Sequence, residues 1–405
     1  MVIGIGGSIF DAELEKFSDM TGGVAPIQTE EFQSRLSQAV EILKAEGFAA
    51  VYLNAGTNLY YFTGTHWSPS ERMVGVLLTP DGDLNYIGPE FERGTIKNFM
   101  QIEGTVHCWE EHESPYALFG NILQNKGITG GTIGIDESTS FLMTDGLKLE
   151  NPDYSFVNAK PVTAGCRMYK SDAEIAIIQR AKNITMAVHK AVARILRPGI
   201  SAEEVTDFIN KAHIRAGIPS GSYFCIVLFG EDSQYPHGVP APRPLRDNDV
   251  VLVDTGCQLQ GYISDITRTY VYGTPTARQR EIWNLEKATQ QAAFDAAQIG
   301  STCGSVDDAA RLVLTDAGLG PDYLLPGLPH RVGHGTGLDI HEYPYLTRNN
   351  PQILQKGMVV SNEPMICVPG EFGIRHEDHF YMTDDGPRWF TEPMPSIEDP
   401  FGYGQ

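Results

Sequence analysis

VVLVDTGCQLQGYISDITRTYVYG, residues 250–273, is the stretch from which the catalytic fold can be read. The apolar run Val250–Val253 predicts a buried strand ending on Asp254. Gly256 and Gly261 bracket a turn, and residues 266–271 carry β-branched and aromatic types into a second strand. The stretch therefore reads as a hairpin, with Asp265 placed 11 positions after Asp254. An antiparallel pair brings together carboxylates that are distant in sequence. A carboxylate on a buried strand needs a compensating partner, because unpaired burial of its charge is expensive. A metal ion is one such partner; an arginine such as Arg268 is another.

Working outward, HRVGHGTGLDIHEYP (residues 330–344) places His330, His334 and His341 at intervals of 4 and 7. Imidazole suits a transition metal. Gly333, Gly335 and Gly337 alternate through the stretch, which predicts close approach of backbone to a ligand. GMVVSNEPMICV (357–368) and GIRHEDHFYMT (373–383) read as two more strands. They carry Glu363 and Glu377 in apolar surroundings, where a glutamate is costly unless paired. Asp254, Asp265, His334, Glu363 and Glu377 together form a hard, oxygen-rich donor set. It favours manganese, cobalt, iron or a less soft zinc site over thiolate zinc. Five donors exceed what one tetrahedral ion takes. Carboxylates bridge, so the set predicts two ions ~3.5–4 Å apart.

The rest of the chain frames this centre. With 405 residues it is long enough for two domains. Residues 28–155 predict an α/β segment: FQSRLSQAVEILKAEG (32–47) as a helix, FAAVYL (48–53) as a buried strand, and a hairpin turning at Asp81-Gly82. Residues 156–168 read as a linker, and a long helix is expected from Lys170 to Leu196, ended by Pro198-Gly199. The 51 acidic and 30 basic residues give a net charge of −21, which disfavours nucleic acid as a partner. No apolar run approaches the ~20 residues of a membrane span. Cys108, Cys166, Cys225, Cys257, Cys303 and Cys367 have no zinc spacing and predict reduced thiols in a cytoplasm-like compartment. The first residues lack a basic segment before their short apolar stretch, unlike a signal peptide.

DTGCQLQGYISDITRT (254–269), HRVGHGTGLDIHEYP, NEP (362–364) and IRHED (374–378) together resemble the "pita-bread" metallopeptidases of family M24: methionine aminopeptidase, aminopeptidase P and prolidase. RMYKSDAEIAIIQRA (167–181) resembles the opening helix of that catalytic domain. The likeness runs from about Gln28 to the end and is nearest the Xaa-Pro branch. It implies an α+β architecture: a creatinase-like N-terminal α/β domain over residues 1–160, then a pita-bread domain, an antiparallel sheet flanked by helices, over 161–405. It implies that Asp254 binds one metal, Asp265 and Glu377 bridge both, and His334 and Glu363 bind the other. His237, in YPHG (235–238), matches a histidine lining the substrate pocket. His330 and His341 match histidines that contact substrate or stand behind the ligands. Arg375 matches an arginine supporting the ligand carboxylates. Creatinase shares the fold without the metal ligands, and all five are present here.

This resemblance implies hydrolysis of a bond before proline by a hydroxide that bridges two divalent ions, manganese first, with cobalt or zinc as alternatives. His341, with His237, would donate hydrogen bonds to the developing oxyanion. Glu363 would carry the proton to the leaving nitrogen. Many prolidases follow HExP with an arginine that holds the dipeptide carboxylate. Tyr345 stands there instead and cannot supply a bidentate cation. Arg348 is expected to take that role in a dipeptidase. Trp67 and Arg72, in FTGTHWSPSERM (62–73), are weaker candidates for a substrate wall. The expected partners are a small peptide with proline second and a second copy of the chain in a homodimer. Aminopeptidase P activity on longer peptides, a same-fold enzyme acting on a non-peptide substrate, and a non-enzymatic binding protein of creatinase fold are the competing readings.

Overall fold

The computed structural model describes residues 2–404 and divides them into two compact units. One comprises residues 27–167, the other the remaining described residues. The smaller unit opens with helix α1 (Thr29–Ala45), whose buried face is Phe32, Leu36, Ala39, Val40 and Leu43. That spacing lays one apolar stripe along the helix, and Gly47, at φ +69°, turns the chain into the next strand. A six-stranded mixed sheet follows, built from β1 (Phe48–Asn54), β2 (Gly75–Leu78), β3 (Leu84–Pro89), β4 (Thr105–Trp109), β5 (Gly131–Ile135) and β6 (Tyr154–Asn158). Its order is β4-β3-β2-β1-β5-β6. Residues 156–168, expected as a linker, instead finish β6 and form a helix over Lys160–Arg167. That helix buries Val162, Ala164 and Cys166, so its apolar positions serve packing in this unit.

Residues 2–26, expected in the first domain, belong to the second unit. Gly6 donates its backbone N–H to Ala193 O at 2.8 Å, and the Phe10 ring meets Phe208 edge-on. In that unit, α2 (Asp172–Ile195) and α3 (Ala202–Arg215) each start with a capping box, Ser171 with Glu174 and Ser201 with Glu204. Each box satisfies two backbone donors that would otherwise lack partners. Three strands, β7 (Phe224–Phe229), β8 (Val250–Gly256) and β11 (Ile266–Val271), form an antiparallel sheet of order β11-β8-β7. Between β8 and β11 (Ile266–Val271), the short strands β9 (Gln258–Leu259) and β10 (Tyr262–Ile263) make the hairpin tip. Gln260 and Gly261 take the left-handed conformation that the tight turn requires.

Helices α4 (Ala277–Ala296) and α5 (Cys303–Asp316) lead to the last strands. These are β12 (Gly333–Gly335), β13 (Glu342–Leu346), β14 (Val359–Asn362), β15 (Met365–Val368), β16 (Phe372–Arg375), β17 (Asp378–Thr383) and β18 (Gly386–Trp389). Five of them make a sheet of order β13-β12-β14-β17-β18, and β15 pairs with β16. The architecture is α+β with antiparallel sheets in this unit, as expected. Trp283 of α4 is fully buried, and its indole N–H donates to Thr269 O of β11 at 2.9 Å, fixing the helix against the hairpin.

Candidate metal centre and its surroundings

The β8–β11 register places Asp254 opposite Thr267, and Arg268 opposite Val253. Neighbours on a strand face opposite ways, so Arg268 points away from Asp254. Its guanidinium pairs with Asp378 at 2.6 Å and donates to Glu377 O at 2.7 Å. The arginine on Asp254 is Arg375, whose Nη2 donates to Oδ2 at 2.5 Å. Arg375 also donates through Nε to Thr267 Oγ1 at 2.9 Å, and Thr267 Oγ1 donates to Glu377 Oε2 at 2.7 Å. One chain of bonds therefore holds Asp254 and Glu377 in place.

His334 stands on β12. Its Nδ1–H donates to Gly335 O at 2.9 Å, which leaves Nε2 aimed inward. Nε2 lies 2.9 Å from Glu363 Oε1 and 3.8 Å from Asp265 Oδ2. Ser361 Oγ accepts from the His334 backbone N–H at 2.8 Å and donates to Glu363 at 3.1 Å, so one hydroxyl sets both residues. One donor atom each from Asp265, His334 and Glu377 lie within 4.8 Å of one another. Asp254 Oδ1 is buried with no hydrogen-bond partner.

The electrostatics reflect this crowding. Burial pushes the Asp254 carboxyl up to about 7 against the pull of Arg375, and the charges of Glu377 and Glu363 add to the rise. Asp265 is raised well above its ordinary range by burial, then by Glu377 and Asp254. Burial opposes ionisation of Glu363 as well, but the adjacent His334 outweighs it and holds this carboxyl below its usual range. An orphaned carboxylate oxygen, carboxyls forced toward protonation and a pre-aimed imidazole are what a divalent cation satisfies. The donor set fits such an ion.

Around this centre, His330 donates from Nδ1 to Arg331 O at 2.7 Å. The His341 ring packs edge-on against His334 with centroids 4.2 Å apart and is exposed on its other side. Burial of its packed side, with His334 and Arg331 nearby, lowers its pKa to about 4, so it is neutral at pH 7 and can donate a hydrogen bond. His237 is exposed and borders a cavity of about 430 Å³ shared with Cys225, Thr206 and Asp207. Arg375 Nη1 donates to Pro236 O at 3.2 Å, tying the His237 loop to Asp254.

Other expectations meet different surroundings. Arg348 is held by Asp308 at 3.3 Å and by Asp322, so its charge is already matched on an exposed loop. The cation beside His341 is Arg331, whose guanidinium lies 4.3 Å over the Tyr345 ring and has no ion pair among the described residues. Trp67 packs edge-on with Phe99, and Arg72 is paired with Glu111 and Glu71, all within the smaller unit. Gly333 and Gly335 serve strand packing, not ligand approach. A Cβ on Gly333 would lie 2.0 Å from Ser361 O, and one on Gly335 would lie 2.4 Å from Tyr343 O. The sequence reading also passed over His379, which lies 3.0 Å from Glu377 Oε1, and buried Lys182. HEDH, residues 376–379, was the available signal for His379.

Residues 176–384 match metallopeptidase family M24, and residues 35–169 match the creatinase/prolidase N-terminal domain. The chain is 32% identical over 343 residues to an Xaa-Pro dipeptidase of Lactobacillus helveticus, covering 84% of this chain and 92% of that protein. Its fold is similar to that of a dipeptidase from Mycobacterium ulcerans, with a TM-score of 0.84, 31% identity and coverage of 91% and 97% of the two chains. A prolidase from Thermococcus sibiricus superposes with a TM-score of 0.81 at 28% identity, covering 91% of this chain and 98% of that one. The protein belongs to metallopeptidase family M24. Among the described residues, no helix is long and apolar enough to cross a membrane.

Proposed function

We propose that this enzyme hydrolyses the Xaa-Pro bond of dipeptides, with Asp254, Asp265, His334, Glu363 and Glu377 holding two divalent cations. Manganese suits the oxygen-rich set best, with cobalt or zinc as alternatives. The observation that carries the reading is the buried cluster itself, in which Asp254 Oδ1 has no partner and Asp265, His334 and Glu377 converge. The similarity to proteins named Xaa-Pro dipeptidase and prolidase supports the substrate class.

When bound, the cations supply a lowered pKa for the attacking water and polarisation of the scissile carbonyl. The protein does the rest. Neutral His341 donates a hydrogen bond where negative charge develops on the carbonyl oxygen, with His237 on the exposed side of the loop as second donor. Glu363, whose side chain retains 15% exposure, is the ligand carboxylate best placed to carry a proton to the leaving proline nitrogen. Arg375 opposes the protonation that burial favours at Asp254 and holds that carboxyl in place. Arg331 recognises the free carboxylate of the dipeptide in place of Arg348, with Tyr345 beneath it as a platform.

A second reading, cleavage of longer Xaa-Pro peptides from the N-terminus, is favoured by the pairing of Arg348 with Asp308 and Asp322. Kinetics on an Xaa-Pro dipeptide and its tripeptide extension, with metal-stripped and manganese-loaded protein, test both. Turnover of the dipeptide restored by manganese is expected. Faster cleavage of the tripeptide moves the assignment to the second reading, and full activity of stripped protein ends the metal reading. A homodimer in a reducing compartment belongs to the same proposal. The scattered spacing of the six cysteines along the chain supports the compartment, and sedimentation tests the dimer.

A further inference from the structure

Lys170 and Glu342 lie 172 positions apart and meet as a buried ion pair, Nζ on Oε1. Their side chains retain 1% and 7% exposure. A buried charge is costly without an opposite one beside it, so each residue fixes the other. Lys170 is itself held in place. Its backbone N–H donates to Gly357 O at 2.8 Å, and the capping box of α2 opens at the next residue. Lys170 is thus a firm post, and Glu342 is what it pins.

Burial alternates along β13. Glu342, Pro344 and Leu346 are buried, whereas His341, just before the strand, is exposed and Tyr343 and Tyr345 are half-buried. Successive strand residues face opposite ways. Glu342 therefore points into the interior, and His341 points to the face where Arg331 lies over Tyr345. The loop leading to His341 rests on the same ion pair. A Cβ on Gly337 would lie 2.6 Å from Glu342 Oε1 and 3.0 Å from Lys170 Cε, and Gly337 O accepts from the Ile263 N–H of β10 at 2.8 Å. His341 thus emerges between two fixed points, Gly337 and Glu342, and the aim of its ring follows the backbone they hold. We infer that Lys170 is a positioning residue: by pinning Glu342, it directs the His341 imidazole to the place where charge develops on the scissile carbonyl. This rests on the proposal that His341 donates to the oxyanion.

The test pairs kinetics with histidine NMR. Lys170→Gln removes the charge that Glu342 needs. A misplacement of about 1 Å costs a reacting group roughly 10²-fold. Manganese-loaded Lys170→Gln should therefore lose about 10-fold to 10²-fold in kcat on an Xaa-Pro dipeptide, with KM within about 2-fold of wild type. Lys170→Arg keeps the charge and should recover most of the loss. In a His341→Ala background, Lys170→Gln should cost less than about 2-fold more, because the two residues act as a unit. In metal-stripped, ¹⁵N-histidine-labelled protein at fixed pH, Lys170→Gln should move the His341 ring signals, and Lys170→Arg should return them. An equal kcat loss with and without His341, or unmoved ring signals, overturns the inference. If Lys170→Gln does not fold, Lys170→Met with Glu342→Gln removes both charges and takes its place in each measurement. Full kcat in His341→Ala alone would instead remove the oxyanion reading. The ring signals then decide separately whether Lys170 sets the His341 side chain.

Discussion

Arg375 and Asp254 meet at 2.5 Å, Nη2 on Oδ2, with both side chains buried on strands of different sheets. Removing one partner of such a pair leaves an uncompensated buried charge, at a cost of about 3–5 kcal/mol. Arg375→Met should lose about that much stability in denaturant unfolding of metal-stripped protein. The double variant Arg375→Met with Asp254→Asn should recover part of it. A single-variant loss below ~1 kcal/mol would mean that solvent reaches the pair.

His341→Ala should keep its metal content and lose about 10²-fold in kcat, as when an oxyanion donor is deleted. The neutral imidazole against His334 motivates this. Metal analysis alongside kcat separates the roles, because a joint fall in both would make His341 a ligand.

Arg331→Ala should raise KM for an Xaa-Pro dipeptide by roughly 10-fold to 150-fold, the range of a charge-assisted contact of ~1.5–3 kcal/mol. A C-terminally amidated analogue should respond little. Arg348→Ala should leave both substrates nearly unaffected, because Arg348 serves Asp308 and Asp322. The reverse pattern would return carboxylate recognition to Arg348.

Acid should weaken the fold through buried histidines away from the centre. Burial lowers His213 from 6.5 to about 4. The folded state thus favours neutral His213, while the unfolded chain takes up a proton once pH drops below 6.5. The stability this group contributes is complete above 6.5 and is lost as pH falls toward about 4. One such proton corresponds to ~1.4 kcal/mol per pH unit. His213→Gln should flatten the stability–pH curve by about that slope between pH 6 and 4.5, measured by denaturant melts. Parallel curves for variant and wild type would show that His213 is hydrated in the native state.

The hairpin at 250–273 was legible because strand period, turn glycines and terminal Asp254 all agree there. The candidate donor residues stand out in the sequence because a carboxylate in an apolar strand is conspicuous. What could not be read was which side chain answers which. Arg268 and Arg375 are equivalent cations in sequence, and only the register, with Thr267 opposite Asp254, chooses between them. Arg348 looked available because Asp308 and Asp322 lie 40 and 26 positions away, beyond any local rule. Gly333 looked like a place for a ligand, but the Ser361 carbonyl fills that space from β14. Lys182 escaped notice because a lysine in a long amphipathic helix gives no sign of being buried.

The seam between the two sheets has a kinetic consequence. Glu377 N–H donates to Thr267 O at 3.3 Å, Arg268 to Glu377 O at 2.7 Å, and Thr269 Oγ1 to Arg375 O at 2.6 Å. These bonds stitch the β8–β11 hairpin to a strand more than a hundred positions further along the chain, and the donor set lies on both sides of the stitching. The hairpin carries Asp254 and Asp265, and the later half carries His334, Glu363 and Glu377. If the proposed donors hold a cation, its exchange and local breathing of the seam would be one event: the ion would escape when the stitches part, and a captured ion would keep them shut. Amide hydrogens at Arg375 and Glu377, both donated across the seam, should then trade with solvent at a pace set by metal occupancy, making the centre a clasp on the protein's own slow motion.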